Sequence, residues 1–224
     1  MWMVGALLLG ACAAGDDATS TTEAARSVRI LALGDSYTIG QSVDEADRWP
    51  VQLGRALEDG GVDSVDVEII ARTGWTTADL DAGIDAADPQ GPFDLVTLLI
   101  GVNNQFQGRD IDEYRTEFVT LLGRAVAFAG GDPGRVIAVS IPDWGVTPFG
   151  SGYGPERVAE QIDAFNAVGE EEALGAGAHW VDITPISREG DPALVATDEL
   201  HPSGVQYARW VEEILPVAVD TLNR

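Results

Sequence analysis

Short apolar runs alternate with helical patterns along most of this chain, and this alternation constrains the fold more than any other feature. Five runs are predicted as strands, at 28–33, 65–71, 95–100, 135–141 and 179–183. Apolar residues recur at helical spacing between or after them, at 49–59, 77–87, 111–129, 155–174 and 205–222. The third run is apolar except for Thr97, which is typical of a strand buried on both faces. The pattern therefore predicts an α/β fold, a three-layer α/β/α sandwich around a five-stranded parallel sheet.

The composition indicates one domain and limits the partners it can have. Of the 224 residues 45% are hydrophobic, enough for one sizeable core, and no second-domain boundary interrupts residues 28–224. The formal net charge is −24, and arginine supplies all the permanent positive charge because lysine is absent. Such a surface disfavours nucleic acid and anionic lipid and favours neutral or cationic substrates. We expect a monomer with no nucleic-acid partner.

The N-terminal segment is predicted to lie outside this domain. Residues 1–11 are uncharged and apolar but too short to span a bilayer, and Leu9-Gly10-Ala11-Cys12 follows. This ending resembles the lipobox of bacterial lipoproteins, which implies cleavage before Cys12 and a lipid on its side chain. Residues 12–27 are rich in small and polar residues and are predicted as a flexible tether. The protein would then be exported and would meet the membrane only through this lipid anchor; an ordinary secretory leader is the alternative.

Polar motifs follow four of the predicted strands, at the edge where parallel sheets bind ligands. They are Asp35-Ser36 after the first strand, Thr73-Gly74 after the second, 101–104 after the third and Pro142-Asp143-Trp144 after the fourth. We therefore expect candidate site residues from four separate strands to meet on one rim.

A serine and a closely spaced Asp and His supply the parts of a Ser-His-Asp triad. Ser36 follows a strand, and Asp198 and His201 are three residues apart near the C-terminus. The other histidine, His179, begins the fifth predicted strand and is expected to be structural. Asp182 is the main rival for orienting a base, but nothing in the sequence pairs it with Ser36. Taken alone, each motif also has a structural explanation, such as a helix cap or a turn.

Four short blocks together resemble those of the SGNH, or GDSL-type, hydrolases, a family named for a Ser, a Gly, an Asn and a His. The blocks here are Gly34-Asp35-Ser36-Tyr37-Thr38, Arg72-Thr73-Gly74-Trp75, Gly101-Val102-Asn103-Asn104 and Asp198-Glu199-Leu200-His201-Pro202. The resemblance covers roughly residues 28–222 and implies the flavodoxin-like fold of that family. In the third block Asn104 stands where the family usually has Asp, which concerns a local buttressing role rather than the chemistry.

The resemblance also implies a role for each matching residue. Ser36 would be the nucleophile, His201 its general base, and Asp198 the group that orients the imidazole. The oxyanion hole would consist of the Ser36 N–H, the Gly74 N–H and the side-chain amide of Asn103. This chemistry needs no cofactor, and no metal is implied because the Asp and Glu residues are not spaced as ligands.

Residues next to these blocks are candidates for binding the substrate. We assign this role to Trp75, Asn104, Gln105 and Trp144, which lie in or near the predicted rim loops. Further aromatic residues near the rim, of which some are expected to line the pocket, are Trp49, Phe106, Phe149 and Tyr153.

The sequence leaves several functions open. The first hypothesis is an esterase that removes small acyl groups from a simple alcohol or a glycan, since no insertion is long enough to form a lipase-like lid. A lysophospholipase or thioesterase acting on longer acyl chains is the close alternative. A noncatalytic surface binding protein on the same fold would show no serine reactivity. A nucleotide-binding domain is disfavoured because no glycine-rich phosphate loop follows the first strand.

Overall fold

The computed structural model describes Met1, Trp2 and residues 26–224. Its strands are β1 (Ser27–Gly34), β2 (Ser64–Ala71), β3 (Leu95–Leu99), β4 (Val136–Val139) and β5 (His179–Val181). They form one sheet in the order β2-β1-β3-β4-β5, and every neighbouring pair is parallel. Apart from Met1 and Trp2, the expected leader, the lipid site at Cys12 and the tether up to residue 25 lie outside the described residues.

Helices cover both faces of the sheet. They are α1 (Ser36–Ile39), α2 (Trp49–Asp59), α3 (Thr77–Ala87), α4 (Val102–Phe106), α5 (Ile111–Phe128), α6 (Pro155–Gly175), α7 (Thr184–Ser187) and α8 (Gly204–Leu222). Helix α2 packs against α8, whereas α5 packs against both α3 and α6. The predicted α/β sandwich is confirmed. Within residues 26–224, no helix combines the length and the apolar character needed to cross a bilayer.

Strands β3 and β4 carry much of the core. Every residue of β3 and of β4 is buried, as expected for parallel strands covered by helices on both faces. From α2, Trp49 and Leu53 reach this core and are fully buried. Trp49 therefore lies in the core and is not one of the aromatic residues that line the rim pocket.

Strands β4 and β5 end earlier than predicted, at a point where side-chain hydrogen bonds replace those between strand backbones. Each ends two residues early, at Val139 and Val181. Just beyond them, Ser140 Oγ accepts the backbone N–H groups of Ile183 and Thr184 at 2.8 and 3.2 Å. These side-chain bonds draw the backbone after β5 into a turn. The short helices α1, α4 and α7 were not predicted as elements, because four or five residues show no helical period.

The sheet topology places the site between β1 and β3. The chain runs from β1 outward to β2, returns to β3 beside β1, and then proceeds in the opposite direction to β4 and β5. Such a change of direction leaves a crevice at the carboxyl ends of the two central strands. Ser36 follows β1 and Asn103 follows β3, so both lie at this crevice.

Candidate active site

Ser36 begins the one-turn helix α1 directly after β1. Asp35 caps this turn, because its Oδ1 accepts the backbone N–H of Tyr37 at 3.0 Å. Only glycine fits at position 34, since a Cβ there would lie 2.5 Å from the carbonyl oxygen of Leu99 on β3. The first block thus combines a close approach of two strands with a capped turn, and together they hold Ser36 at the edge of the sheet.

Asp198 and His201 are joined by side-chain and backbone hydrogen bonds. Asp198 Oδ2 lies 2.6 Å from His201 Nδ1. The other carboxylate oxygen, Oδ1, accepts the backbone N–H groups of Leu200 and His201 at 3.0 and 2.9 Å. The spacing of three residues therefore lets one carboxylate hold both the ring and the turn that carries it. An Nδ1–H directed at Asp198 leaves Nε2 as the acceptor, as a general base requires.

Ser42 contributes a further bond to this carboxylate. Its Oγ donates to Asp198 Oδ2 at 2.6 Å, the same oxygen that pairs with His201. Burial of Asp198 opposes its ionisation, but hydrogen bonds from Ser42, His201 and Leu200 outweigh that effect and lower its pKa to about 2. Asp198 is therefore ionised at neutral pH. Sequence reasoning missed Ser42, because it lies far from Asp198 along the chain and in a loop without a motif.

One cavity joins the serine and histidine blocks. It has a volume of ≈ 240 Å³ and is lined by Ser36, Gly74, Asn103 and His201. Ser36 Oγ and His201 Nε2 are not hydrogen-bonded to each other, although both side chains border this cavity. The remaining wall is mainly apolar and includes Val102, Phe106, Trp144, Phe149 and Leu200. The structure therefore brings the four predicted blocks to one cavity.

The three residues predicted to supply N–H groups to an oxyanion hole, Ser36, Gly74 and Asn103, all line this cavity. Within residues 26–224, the backbone N–H groups of Ser36 and Gly74 donate to no protein acceptor. Gly74 has φ of 82°, and no atom lies within 4 Å of a Cβ built on it, so its backbone faces open space. Asn103 Nδ2 donates to the carbonyl of Trp75 at 2.9 Å and to Asp35 Oδ2 at 3.3 Å.

Asp35 is a buried carboxyl group beside the nucleophile. It is fully buried, and its hydrogen bonds come from the N–H of Tyr37 and the amide of Asn103. Burial raises its pKa to about 7, and these hydrogen bonds only partly oppose the rise. Neither the burial of Asp35 nor its bond to Asn103 is predicted by the sequence.

Of the four residues assigned to substrate binding, only Trp144 lines the cavity. Gln105 is buried behind Trp144. Its Oε1 accepts the indole N–H of Trp144, and its Nε2 donates to Gln161. The side chain of Trp75 packs against Gly83 of α3, where an added Cβ would come within 2.2 Å of the indole ring. Gln105 thus positions Trp144 instead of contacting the cavity, and Trp75 supplies only its backbone carbonyl to the site.

Asn104 is also a buttress rather than a lining residue. It is buried, and its Oδ1 accepts the backbone N–H of Thr77 at 3.0 Å, while its Nδ2 donates to Thr77 Oγ1 at 2.6 Å. The hydroxyl of Thr77 donates in turn to Glu117. These bonds fix the start of α3 beside α4. The amide that stands in place of the usual Asp therefore has a buttressing role.

Asp182, the rival for orienting a base, and His179, the other histidine, do not line this cavity. Asp182 Oδ1 accepts a hydrogen bond from Ser140 Oγ at 2.8 Å. Ser36 lines the cavity and Asp182 does not. His179 begins β5, and its Nε2 lies 3.1 Å from the carbonyl oxygen of Gly134, just before β4. Both contacts are structural.

Solved structures share this fold at low sequence identity. TesA has a TM-score of 0.69 at 21% identity, with 86% of this chain and 99% of that chain covered. A variant of Axe2, an acetyl xylan esterase from Geobacillus stearothermophilus, has a TM-score of 0.66 at 19% identity, with 85% and 94% covered. The esterase EstA from a Pseudoalteromonas species, inhibited by monoethylphosphonate, has a TM-score of 0.64 at 19% identity, with 88% and 99% covered. No curated protein matches the sequence.

A family model agrees with the sequence blocks and with the fold. The model of the GDSL-like lipase/acylhydrolase family matches residues 32–209, which is most of the chain and includes all four blocks. The family supports ester or acyl hydrolase activity. With the motifs, the parallel sheet and the family model in agreement, the chain belongs to the GDSL-like lipase/acylhydrolase family.

Proposed function

We propose that this protein is a carboxylic ester hydrolase in which Ser36, His201 and Asp198 form the catalytic triad. The observation that carries the proposal is the pairing of His201 Nδ1 with Asp198 at 2.6 Å, on a ring that shares one cavity with Ser36. A serine hydroxyl is a weak nucleophile at neutral pH unless a base accepts its proton. His201 is the histidine that lines this cavity.

In the proposed reaction Ser36 Oγ attacks the ester carbonyl while His201 Nε2 takes its proton. The imidazolium that forms is stabilised by the ionised Asp198 and then protonates the departing alcohol. An acyl group remains on Ser36 as an ester, and water, deprotonated by the same His201, hydrolyses it. The hydrogen bond from Ser42 to Asp198 supports both proton transfers by His201, because it holds the carboxylate that orients the imidazole.

The negative charge on the tetrahedral intermediate would be held by the N–H groups of Ser36 and Gly74 and by the amide of Asn103. The two backbone groups need no rearrangement, since they have no protein acceptor among the described residues. Asn103 Nδ2 has two acceptors, and its bond to Asp35 is the longer one at 3.3 Å. We propose that this N–H turns from Asp35 toward the oxyanion while the bond to Trp75 keeps the amide in place.

The size of the cavity favours a short acyl group. At ≈ 240 Å³ it falls below the range of about 300–1,000 Å³ that is typical of ligand pockets. An acetyl xylan esterase is among the proteins that share the fold, and a short acyl group on a glycan agrees with that likeness. A longer acyl chain is the second candidate, because the aromatic side chains of Phe106 and Phe149 line the cavity and remain 47% and 40% exposed.

The test is hydrolysis of p-nitrophenyl esters of increasing chain length by the wild type and by Ser36→Ala. Ser64→Ala is the matched control, because Ser64 is an exposed serine at the start of β2 and does not line the cavity. We expect turnover that is highest with acetate or butyrate, retained in the control and lost in Ser36→Ala. Turnover that survives in Ser36→Ala would contradict the assignment, and an optimum at long chains would select the second candidate.

We further propose that the protein is exported and anchored through a lipid on Cys12. The motif at residues 9–12 supports this proposal, as does the absence of any other cysteine from the sequence. Expression in a bacterium fed labelled palmitate should label the wild type but not Cys12→Ser. Equal labelling of the two proteins would refute the anchor.

A further inference from the structure

A second cavity lies next to the catalytic one. It has a volume of ≈ 250 Å³, and three residues, Tyr37, Trp144 and Leu200, line both cavities. Its other walls come from the loop after β4, the segment between α7 and α8, and the first turn of α8. A group bound there would be separated from the catalytic cavity only by these three side chains.

The walls of this cavity are mostly apolar, and its charged groups are already used. Asp143 is buried, and its carboxylate pairs with Arg188 at 2.8 Å and accepts the N–H of Gly145 at 2.9 Å. Asp191, which is exposed, accepts the N–H of Ala193. No Arg or His of the described chain lines the cavity. A phosphate or a carboxylate would find no counter-charge here, so a neutral ligand is favoured.

Two neutral polar side chains lining the second cavity lack protein partners. Tyr37 and Gln206 are each only 4% exposed. Among residues 26–224, none forms a hydrogen bond with the Tyr37 hydroxyl or with the Gln206 side-chain amide. The backbone N–H of Gln206 is paired with the capping Ser203, so only its amide is left over.

The Tyr37 hydroxyl and the Gln206 amide are not among the fully buried unpaired atoms, so water in the cavity can reach them until a ligand displaces it. A buried donor or acceptor without a partner typically costs about 1–3 kcal/mol, and most such groups are hydrogen-bonded. An alkyl chain in the cavity would displace water and leave Tyr37 and Gln206 unpaired. A ligand with hydroxyl groups would instead pair with both, since a hydroxyl donates and accepts and an amide does the same.

We propose that the second cavity binds the neutral, hydroxyl-bearing alcohol part of the ester, such as a sugar ring. The Tyr37 hydroxyl and the Gln206 amide would hydrogen-bond to its hydroxyls, and the apolar wall that includes Trp144 would pack on its C–H face. This inference rests on the proposed function, because it assigns the leaving-group side of the substrate that Ser36 attacks. The acyl group would then occupy the catalytic cavity.

The test compares two acetate esters that differ in the alcohol. One is a monoacetate of methyl β-xyloside, whose sugar ring keeps two free hydroxyl groups. The other is p-nitrophenyl acetate, whose leaving group has no free hydroxyl group. We expect Gln206→Leu and Tyr37→Phe each to lower the ratio of kcat/KM for the sugar ester to that for p-nitrophenyl acetate about tenfold, the effect of one lost hydrogen bond. Gln90→Leu is the matched control, because Gln90 is exposed and its side chain bonds only to the carbonyl of Asp88.

An unchanged ratio in both variants would overturn the subsite, as would an equal loss on both esters. Tyr37→Phe removes only an oxygen atom, so it keeps the test decisive if Gln206→Leu folds poorly. Failure of the proposed function would look different, since the wild type would then show no Ser36-dependent turnover of either ester. In that case calorimetric titration with methyl β-xyloside decides: binding weakened about tenfold in Gln206→Leu supports the subsite, and absent or unchanged binding refutes it.

Discussion

Replacing Asp35 by Asn should change how the stability of the protein depends on pH. Asp35 is fully buried beside Ser36, and the pKa of its carboxyl group is raised from 3.8 to about 7. Between these two values the unfolded chain has lost a proton that the folded protein keeps. The folded state therefore binds more protons, and the free energy of unfolding falls as the pH rises through this window.

The size of the effect follows from the two pKa values. A difference of about three pKa units, at about 1.4 kcal/mol each, corresponds to about 4 kcal/mol. This contribution is fully present below the unfolded pKa of 3.8 and is lost once the pH has passed 7. An Asn at position 35 does not ionise. The free energy of unfolding of Asp35→Asn, minus that of the wild type, should therefore rise by about 4 kcal/mol between pH 4 and pH 8. This rise does not depend on the difference between the two proteins at pH 4.

The assay is urea unfolding followed by tryptophan fluorescence, at pH values from 4 to 8, for both proteins. Taking the difference between them removes the contribution of the other titrating groups, which the two proteins share. Asp220→Asn is the matched control for the loss of one carboxylate, because Asp220 is exposed near the end of α8. A difference between Asp35→Asn and the wild type that stays constant within about 1 kcal/mol would refute the reasoning.

Three further predictions concern activity on p-nitrophenyl acetate. Ser42→Ala should lower kcat about tenfold, because Asp198 loses a hydrogen bond, whereas the exposed Ser64→Ala should not; an equal kcat for the two variants in steady-state assays would deny Ser42 this role. Asn103→Ala should lower kcat about 100- to 1,000-fold with intact thermal unfolding, as expected for one lost oxyanion donor, and a smaller loss would remove Asn103 from the hole. Gly74→Ala and Gly108→Ala should each lower the free energy of unfolding in urea by about 1–3 kcal/mol, because φ is positive and space is open at both sites. Only Gly74→Ala should also lower kcat. A similar kcat for the two variants would argue against a role of Gly74 in the oxyanion hole.

Parts of the fold with a strong local signal could be predicted from the sequence. Strand β3 is almost entirely apolar and helix α5 has a long apolar stripe, so both were predicted to within one residue of the observed ends. The polar motifs that follow the first four strands could be placed at one rim, because parallel strands have their carboxyl ends at the same edge. The ends of β4 and β5 could not be placed, since they depend on the hydroxyl of Ser140 meeting a backbone distant in sequence.

The details of the site depend on contacts that no local pattern encodes. Asn104 and Gln105 follow Asn103 directly, yet a helical turn directs them away from the cavity toward Thr77 and Trp144. Ser42 and Gln206 belong to no motif, and only the fold brings them to their sites. For the same reason the burial of Asp35, and with it the raised pKa, follows from packing rather than from its place in the first block.

The most direct test of the proposed triad is labelling with a fluorophosphonate followed by mass spectrometry of the peptides. The reagent forms a stable bond with a serine that an adjacent base has activated. The triad predicts a single modified residue, Ser36, in the wild type, and loss of that modification in His201→Gln with the fold intact. A label on another serine, or labelling of Ser36 that does not depend on His201, would contradict the proposed mechanism.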